Sequence, residues 1–302
     1  MTSPRIWRTL LPLFVAAFLA FSYNNIFMTV TPLFALSCSL SMIEAGAQTT
    51  IFLAVAVILR FAFGPVADRI GTKPVMLTGM AAFVAGAVVF VGASDYASII
   101  IARCIQAVGL AAFWSCATAT VCDVSPVDKQ GWYLGLYRLV TSASLLIGPV
   151  LAFELIEHTD YRTCFFVLGA CALCALCALV LMPKPPAPAA PAAATAPSPT
   201  TPATARHAHF APLLQNKVLW LVVVCTFCAA MGYGLIFSFA ATYIDAHFAA
   251  LNSGLYFTVL GIGGLVGNPL AGWISDRISQ KTELSIWLVC MGLGLGSLCL
   301  VP

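Results

Sequence analysis

The sequence predicts an all-α integral membrane protein made of two related halves: a six-helix N-terminal bundle and an incomplete second bundle. Three observations lead there. Hydrophobic residues make up 61% of the 302-residue chain and charged residues 8%, with a mean hydropathy of +0.98. That is more apolar surface than a water-soluble fold of this length buries. Nine apolar runs, near 10–36, 46–66, 74–93, 97–121, 132–153, 163–182, 218–244, 253–274 and 284–301, reach the roughly 18 residues needed to cross a bilayer. Finally, a polar hinge recurs. Gly64-Pro-Val-Ala-Asp68-Arg69-Ile-Gly71-Thr-Lys73 returns 208 positions later as Gly272-Trp-Ile-Ser-Asp276-Arg277-Ile-Ser-Gln-Lys281, each time between apolar runs. With so few charges available, the double placement of Asp-Arg and Lys marks a parallel internal repeat.

The first run follows Arg5 and Arg8, outlasts a signal-peptide core and lacks a clear small-residue cleavage site, so it reads as a retained helix. At its mid-depth stand Tyr23, Asn24 and Asn25. An amide there needs water or a partner: either it faces a solvated cavity or it bonds to a neighbouring helix. Tyr23, Asn24 and Asn25 are taken as candidates for lining a substrate cavity. In the second run Arg60, Gly64 and Asp68 recur every four residues along one helical stripe.

The fourth run contains Arg103-x-x-Gln106-x-x-Gly109, with Leu110 and Trp114 continuing that face. A guanidinium so deep is costly unless it points into a polar cavity or bonds to backbone carbonyls; the cavity reading is adopted, with Trp114 on its wall. In the fifth run Gly135, Arg138, Thr141, Ser144, Gly148, Pro149 and Ala152 fall at three- and four-residue steps, a surface for close helix packing. After the sixth run, a Pro/Ala/Thr tract that cannot form a packed core separates the halves. The expected domains are 1–182, a linker at 183–216, and 217–302. In the seventh run the repeat offset brings Tyr233 and Ser238 near the depths of Asn25 and Val30, which adds them to the cavity candidates.

Lys and Arg favour the cytoplasmic side of membrane proteins. A cytoplasmic N-terminus gathers Arg5, Arg8, Arg69, Lys73, Lys129, Lys184, Arg206, Lys217, Arg277 and Lys281 on that side and leaves only Arg162 outside. Arg60, Arg103 and Arg138 fall within spans. The net charge of +3 thus reports topology rather than a nucleic-acid partner. The twelve cysteines, including Cys171-x-x-Cys174-x-x-Cys177, lie mostly within spans and read as small polarizable packing residues, not as metal ligands. No cofactor or metal is expected, and no convergent nucleophile and base suggest an enzyme.

The hinge resembles the Gly-x-x-x-Asp-Arg-x-Gly-x-Lys loop of the major facilitator superfamily, and the resemblance extends over nearly the whole chain. It implies a conformational latch formed by Gly64, Asp68, Arg69, Gly71 and Lys73, with Gly272, Asp276, Arg277 and Lys281 as the second copy. Ser279 stands where that copy should have glycine, so the second latch is expected to be the weaker. Arg103 and Gln106 are similar to the family's Arg-x-x-Gln-Gly-x-Gly motif, which implies proton coupling, although Ala107 replaces a glycine. Gly148-Pro149 resembles a degenerate antiporter motif on helix 5, with Ser144 and Ala152 in place of glycines.

Two six-span halves imply twelve helices, so three are expected to be missing. The expected function is transport of a small molecule by alternating access, most specifically proton-coupled efflux across the plasma or inner membrane by a monomer. An importer, a uniporter and a non-transporting fragment are the alternatives.

Overall fold

The computed structural model describes residues 3–184, 219–228, 230–232 and 253–298, and no strand occurs among them. Six helices follow in order: α1 (Ser3–Ser37), α2 (Met42–Ile70), α3 (Thr72–Gly92), α4 (Tyr96–Val124), α5 (Gln130–His158) and α6 (Tyr161–Leu181). A 3₁₀ turn, Val127–Lys129, precedes α5, and α7 (Ser253–Ser275) and α8 (Gln280–Leu298) come later. Five of these, in α1–α4 and α6, are long and apolar enough to cross a membrane. The seventh expected run is described only in part, so Tyr233 and Ser238 lie outside the described residues, as does the linker at 185–216.

The helix ends follow from local chemistry. Ser41 opens α2 with a reciprocal cap: its hydroxyl accepts from Glu44 N at 3.3 Å and Glu44 Oε2 accepts from Ser41 N at 2.8 Å. Gly71 ends α2 with φ at +93°, a conformation that a side chain would strain, and its N–H donates to Ala67 O at 2.8 Å. That is the reason for glycine inside the first hinge. Asp160 caps α6 by accepting from Thr163 N at 2.7 Å; hydrogen bonds from Thr163 hold its carboxyl below the usual range. The cap therefore contributes at neutral pH and is lost as acid protonates the group.

The chain divides into two compact units, one of residues 1–189 with 261–277 and the other of residues 190–260 with 278–302. In the first, α3 packs on α4 and α6, α1 on α5 and α6, and α2 on α4. An aromatic stack forms its centre: Phe27 lies on Phe165 at 5.2 Å, Phe90 and Phe34 each meet Phe165 at 5.0 Å, and Tyr23 touches Phe27 at 4.6 Å and Phe83 at 4.7 Å. Small residues set helix spacing, since a β-carbon on Gly109 would collide with the Phe83 ring. Outward faces are apolar, with Leu53, Val57 and Phe61 of α2 exposed, as lipid contact allows. In the second unit, the described residues include helix at 219–228 and α8, where Ser279 Oγ accepts from Thr282 N at 3.3 Å.

At one end of the first unit lie the start of α1, the α2–α3 and α4–α5 connections and the end of α6, with Arg8, Arg69, Lys73, Lys129 and Lys184. Lys73 does more there than add charge. Its Nζ donates to Val180 O at 3.0 Å and also to Met182 O, satisfying carbonyls that the end of α6 leaves free. Lys73→Met should cost about 1 kcal/mol, read as a lower denaturation midpoint and faster amide exchange over 178–182.

Candidate functional site

Arg103 is the one fully buried arginine among the described residues; Arg60 and Arg138 are exposed. Its Nε donates to Gln48 Oε1 at 2.5 Å and its Nη1 to Gln106 Oε1 at 3.2 Å, while Nη2 reaches the Met28 sulfur at 3.7 Å. The guanidinium lies 4.6 Å from the Phe52 ring centroid. Gln106 Nε2 donates onward to the Tyr23 hydroxyl at 2.8 Å, and that hydroxyl donates to Phe83 O at 2.7 Å. Gln48 is held in turn by donating to Ala45 O at 3.0 Å and Thr49 Oγ1 at 2.7 Å. Helices α1, α2, α3 and α4 are thus tied by one chain of polar groups in an apolar interior.

This arrangement differs from both sequence alternatives. Arg103 is 0% exposed, so it faces no open cavity, and its partners are side-chain amide oxygens rather than backbone carbonyls. No carboxylate bonds to it among the described residues. Tyr23 belongs to this network and not to a cavity wall, because its hydroxyl is fully used. Asn24 and Trp114 do share a wall, but around a void of only about 10 Å³ with Phe21, Phe83, Leu110 and Phe113. The Arg60 guanidinium lies 5.8 Å from the Trp114 ring centroid. Asn25 takes the helix-binding alternative, donating to Ser144 Oγ on α5 at 3.4 Å. Gly148 lets α1 approach, with Ile26 Cγ1 3.4 Å from where its β-carbon would stand; the Pro149 side chain lies outside the described residues.

A second constellation joins α5 to α7. Asp276 Oδ1 accepts from Gly131 N at 2.6 Å and Oδ2 from Trp132 N at 2.8 Å. These are N–H groups in the first turn of α5 that have no partner within the helix, and the positive end of its dipole lies there. A β-carbon on Gly131 would strike Gly272 O, and one on Gly272 would strike Gly131 O; one on Gly135 would stand 2.8 Å from Asn268 O. The two backbones are therefore in contact. Deeper in, Asn268 Nδ2 donates to Ser142 Oγ at 2.9 Å. Arg277 folds back over Trp273, 3.7 Å from the ring centroid.

The hinge residues part company here. Asp276, Gly272 and Arg277 gather at the seam. Asp68, Arg69 and Gly64 are exposed, no hydrogen bond or ion pair joins Asp68 to another described residue, and a β-carbon on Gly64 would meet nothing within 4 Å. The Lys281 side chain lies outside the described residues. Of the two hinge carboxylates it is Asp276 that meets a helix end among the described residues. Asp276→Asn keeps the shape and removes the charge. We expect a loss of about 1–2 kcal/mol in seam stability, measured as faster hydrogen exchange at Gly131 and Trp132.

Gln48, Gly131 and Ser142 were missed by the sequence reading. The spacing of Gly131 and Gly135, four apart on one helical face, was the available signal; Gln48 offered none beyond being polar in an apolar run.

A lipid-facing helical unit with a polar network sealed inside and a glycine-to-glycine seam at a repeated hinge belongs to the class of multi-helix membrane proteins. The chain is a member of the major facilitator superfamily: the family model described as Major Facilitator Superfamily matches residues 13–302. The MFS-type transporter ppz2 of Metarhizium majus is 30% identical over 159 residues, 52% of this chain and 27% of that protein. The MFS-type efflux transporter ffsH of Aspergillus flavipes is 28% identical over 114 residues, 37% of this chain and 20% of that protein. The chain thus spans well under half the length of these curated relatives. The E. coli fucose:proton symporter FucP shares the fold with a TM-score of 0.72 at 16% identity, covering 91% of this chain and 73% of that one. Family membership and these relatives point to a transporter and not to an enzyme.

Proposed function

We propose that the chain forms part of a secondary transporter that moves a small molecule by alternating access, with efflux driven by proton entry as its mode. The observation that carries the reading is the Asp276 carboxylate seated on the first turn of α5. The contact couples a hinge of the second sequence repeat to a helix of the first. It consists of one carboxylate and facing glycines, so it can separate and re-form as a unit, its polar groups at a helix end where water can replace them. In the cycle, the seam closes the basic end of the bundle in one state and parts in the other.

Asp68, Arg69, Gly64, Gly71 and Lys73 form the corresponding latch of the first hinge. Arg103 and Gln106 serve proton coupling, and Asn24 and Trp114 border the route of the substrate. The efflux relative favours export. The basic end faces the cytoplasm of a plasma or inner membrane and the complete protein acts as a monomer, in keeping with the bias of Lys and Arg.

Two experiments test this. Cysteines at the exposed positions Ser279 and Thr159, in a background cleared of native cysteines, should react with an impermeant reagent from the cytoplasm and from outside, respectively; the reverse pattern would overturn the topology. Proteoliposomes of the protein, given a pH gradient and a panel of lipophilic cations, sugars and organic acids, should move at least one of these classes outward against its gradient. Movement that ignores the pH gradient would make the protein a uniporter.

A further inference from the structure

Two clefts adjoin at the α5–α7 seam and share the indoles of Trp132 and Trp273. The first, about 440 Å³, is lined by these two rings together with Asp128, Lys129, Asp276 and Arg277. The second, about 520 Å³, continues along Val266, Pro269 and Leu270. Its lining is apolar. One cleft is charged and the other greasy. Trp132 and Trp273 are 38% and 43% exposed, as expected of rings at the boundary between hydrocarbon and headgroups.

The first cleft holds two carboxylates and two cations, but they are not equally available to a ligand. Asp276 is already engaged by two N–H groups at the positive end of α5. That leaves two cations, Lys129 and Arg277, facing one free carboxylate, Asp128. The Arg277 guanidinium is stacked on Trp273, which fixes its plane and leaves its hydrogen-bonding edge available for an oxyanion. A held guanidinium and an exposed ammonium with aromatic walls above an apolar trough match the two parts of a lipid, a phosphate and an acyl chain.

We propose that this seam is a binding site for one anionic phospholipid, its phosphate held by Lys129 and Arg277 between the two indoles and an acyl chain lying along Val266, Pro269 and Leu270. Because both helices contribute, such a lipid bridges α5 and α7 and favours their contact over separation. Lipid occupancy needs only the membrane embedding of the helices, so its test stands apart from transport.

The test uses the full chain in vesicles of phosphatidylcholine containing brominated phosphatidylglycerol, brominated phosphatidylcholine or brominated phosphatidylethanolamine, with quenching of tryptophan fluorescence as the readout. The Trp132→Phe/Trp273→Phe variant identifies the part of the signal that comes from the seam. The wild type should show saturable seam quenching that prefers phosphatidylglycerol by about fivefold for each cation engaged, falling with added salt. Lys129→Gln/Arg277→Gln should bring the preference close to one. The single variant Lys129→Gln, at an exposed side chain, guards against misfolding and should remove about half of the preference on a logarithmic scale. Equal quenching by all three lipids in the wild type, or a preference that survives in Lys129→Gln and in the double variant, overturns the proposal. An equal response to phosphatidylethanolamine and phosphatidylglycerol also overturns it, since the selectivity would then not follow net charge.

Discussion

Replacing Gly272 with alanine should force α7 away from α5. The new β-carbon would fall on the Gly131 carbonyl, and Gly131 in turn faces Gly272 O, so backbone meets backbone and no rotamer change can relieve the overlap. Overpacking a closed contact costs about 1–3 kcal/mol and more where backbone must move. At roughly 1.4 kcal/mol for each tenfold change, the closed seam should lose one to two orders of magnitude in population. The Gly131 and Trp132 amides would lose Asp276 as acceptor, and their hydrogen exchange should accelerate by a similar factor. Gly267→Ala is the control, because a β-carbon there meets nothing within 4 Å. Seam amides as well protected in Gly272→Ala as in Gly267→Ala would mean that the contact is not a determinant of this state. In transport, the same substitution should lower turnover more than substrate binding, as expected for a gate.

Arg103→Ala should be the most damaging substitution in the interior. It removes the donor to both Gln48 and Gln106 and opens a cavity beneath Phe52. The unsatisfied amides and the void together should cost about 3–5 kcal/mol, read as a large drop in the denaturation midpoint. Arg103→Lys keeps a cation but not the planar fork that serves two amides at once, so it should fall between. Arg103→Met separates charge from packing: it fills most of the space while removing the cation. If coupling depends on the charge, Arg103→Met should bind substrate but fail to drive it with a pH gradient, while Arg103→Lys retains part of the driven activity. Full pH-driven transport in Arg103→Met would reduce the arginine to a tie between helices.

Much of the fold could be read directly because the bilayer imposes simple rules. Apolar run lengths located α1–α6, and the scarcity of charge made the paired Asp-Arg hinges stand out. Arg103 was conspicuous for the same reason: an arginine in an apolar run has few places to go. The special backbone of Gly71 was also local, since a helix ending against the start of another needs a residue that accepts φ near +93°.

What the sequence by itself determined, then, was the helical membrane character of the chain, the repeated hinge pattern and the presence of an arginine deep in an apolar helix. The tertiary structure alone decided which residues these features meet. Gln48 and Tyr23 are 55 and 80 positions from Arg103 in the chain, and the sequence could not say that α1 and α2 deliver them to the same point on α4. Asp276 finds the N–H groups of Gly131 and Trp132 from 145 and 144 positions away, whereas Asp68, in the more complete copy of the hinge, stays exposed. The physical reason is that a carboxylate is satisfied by whichever donors lie within about 3 Å of it, and that proximity is set by helix packing across the fold, on which the spacing of residues along one helix carries no information.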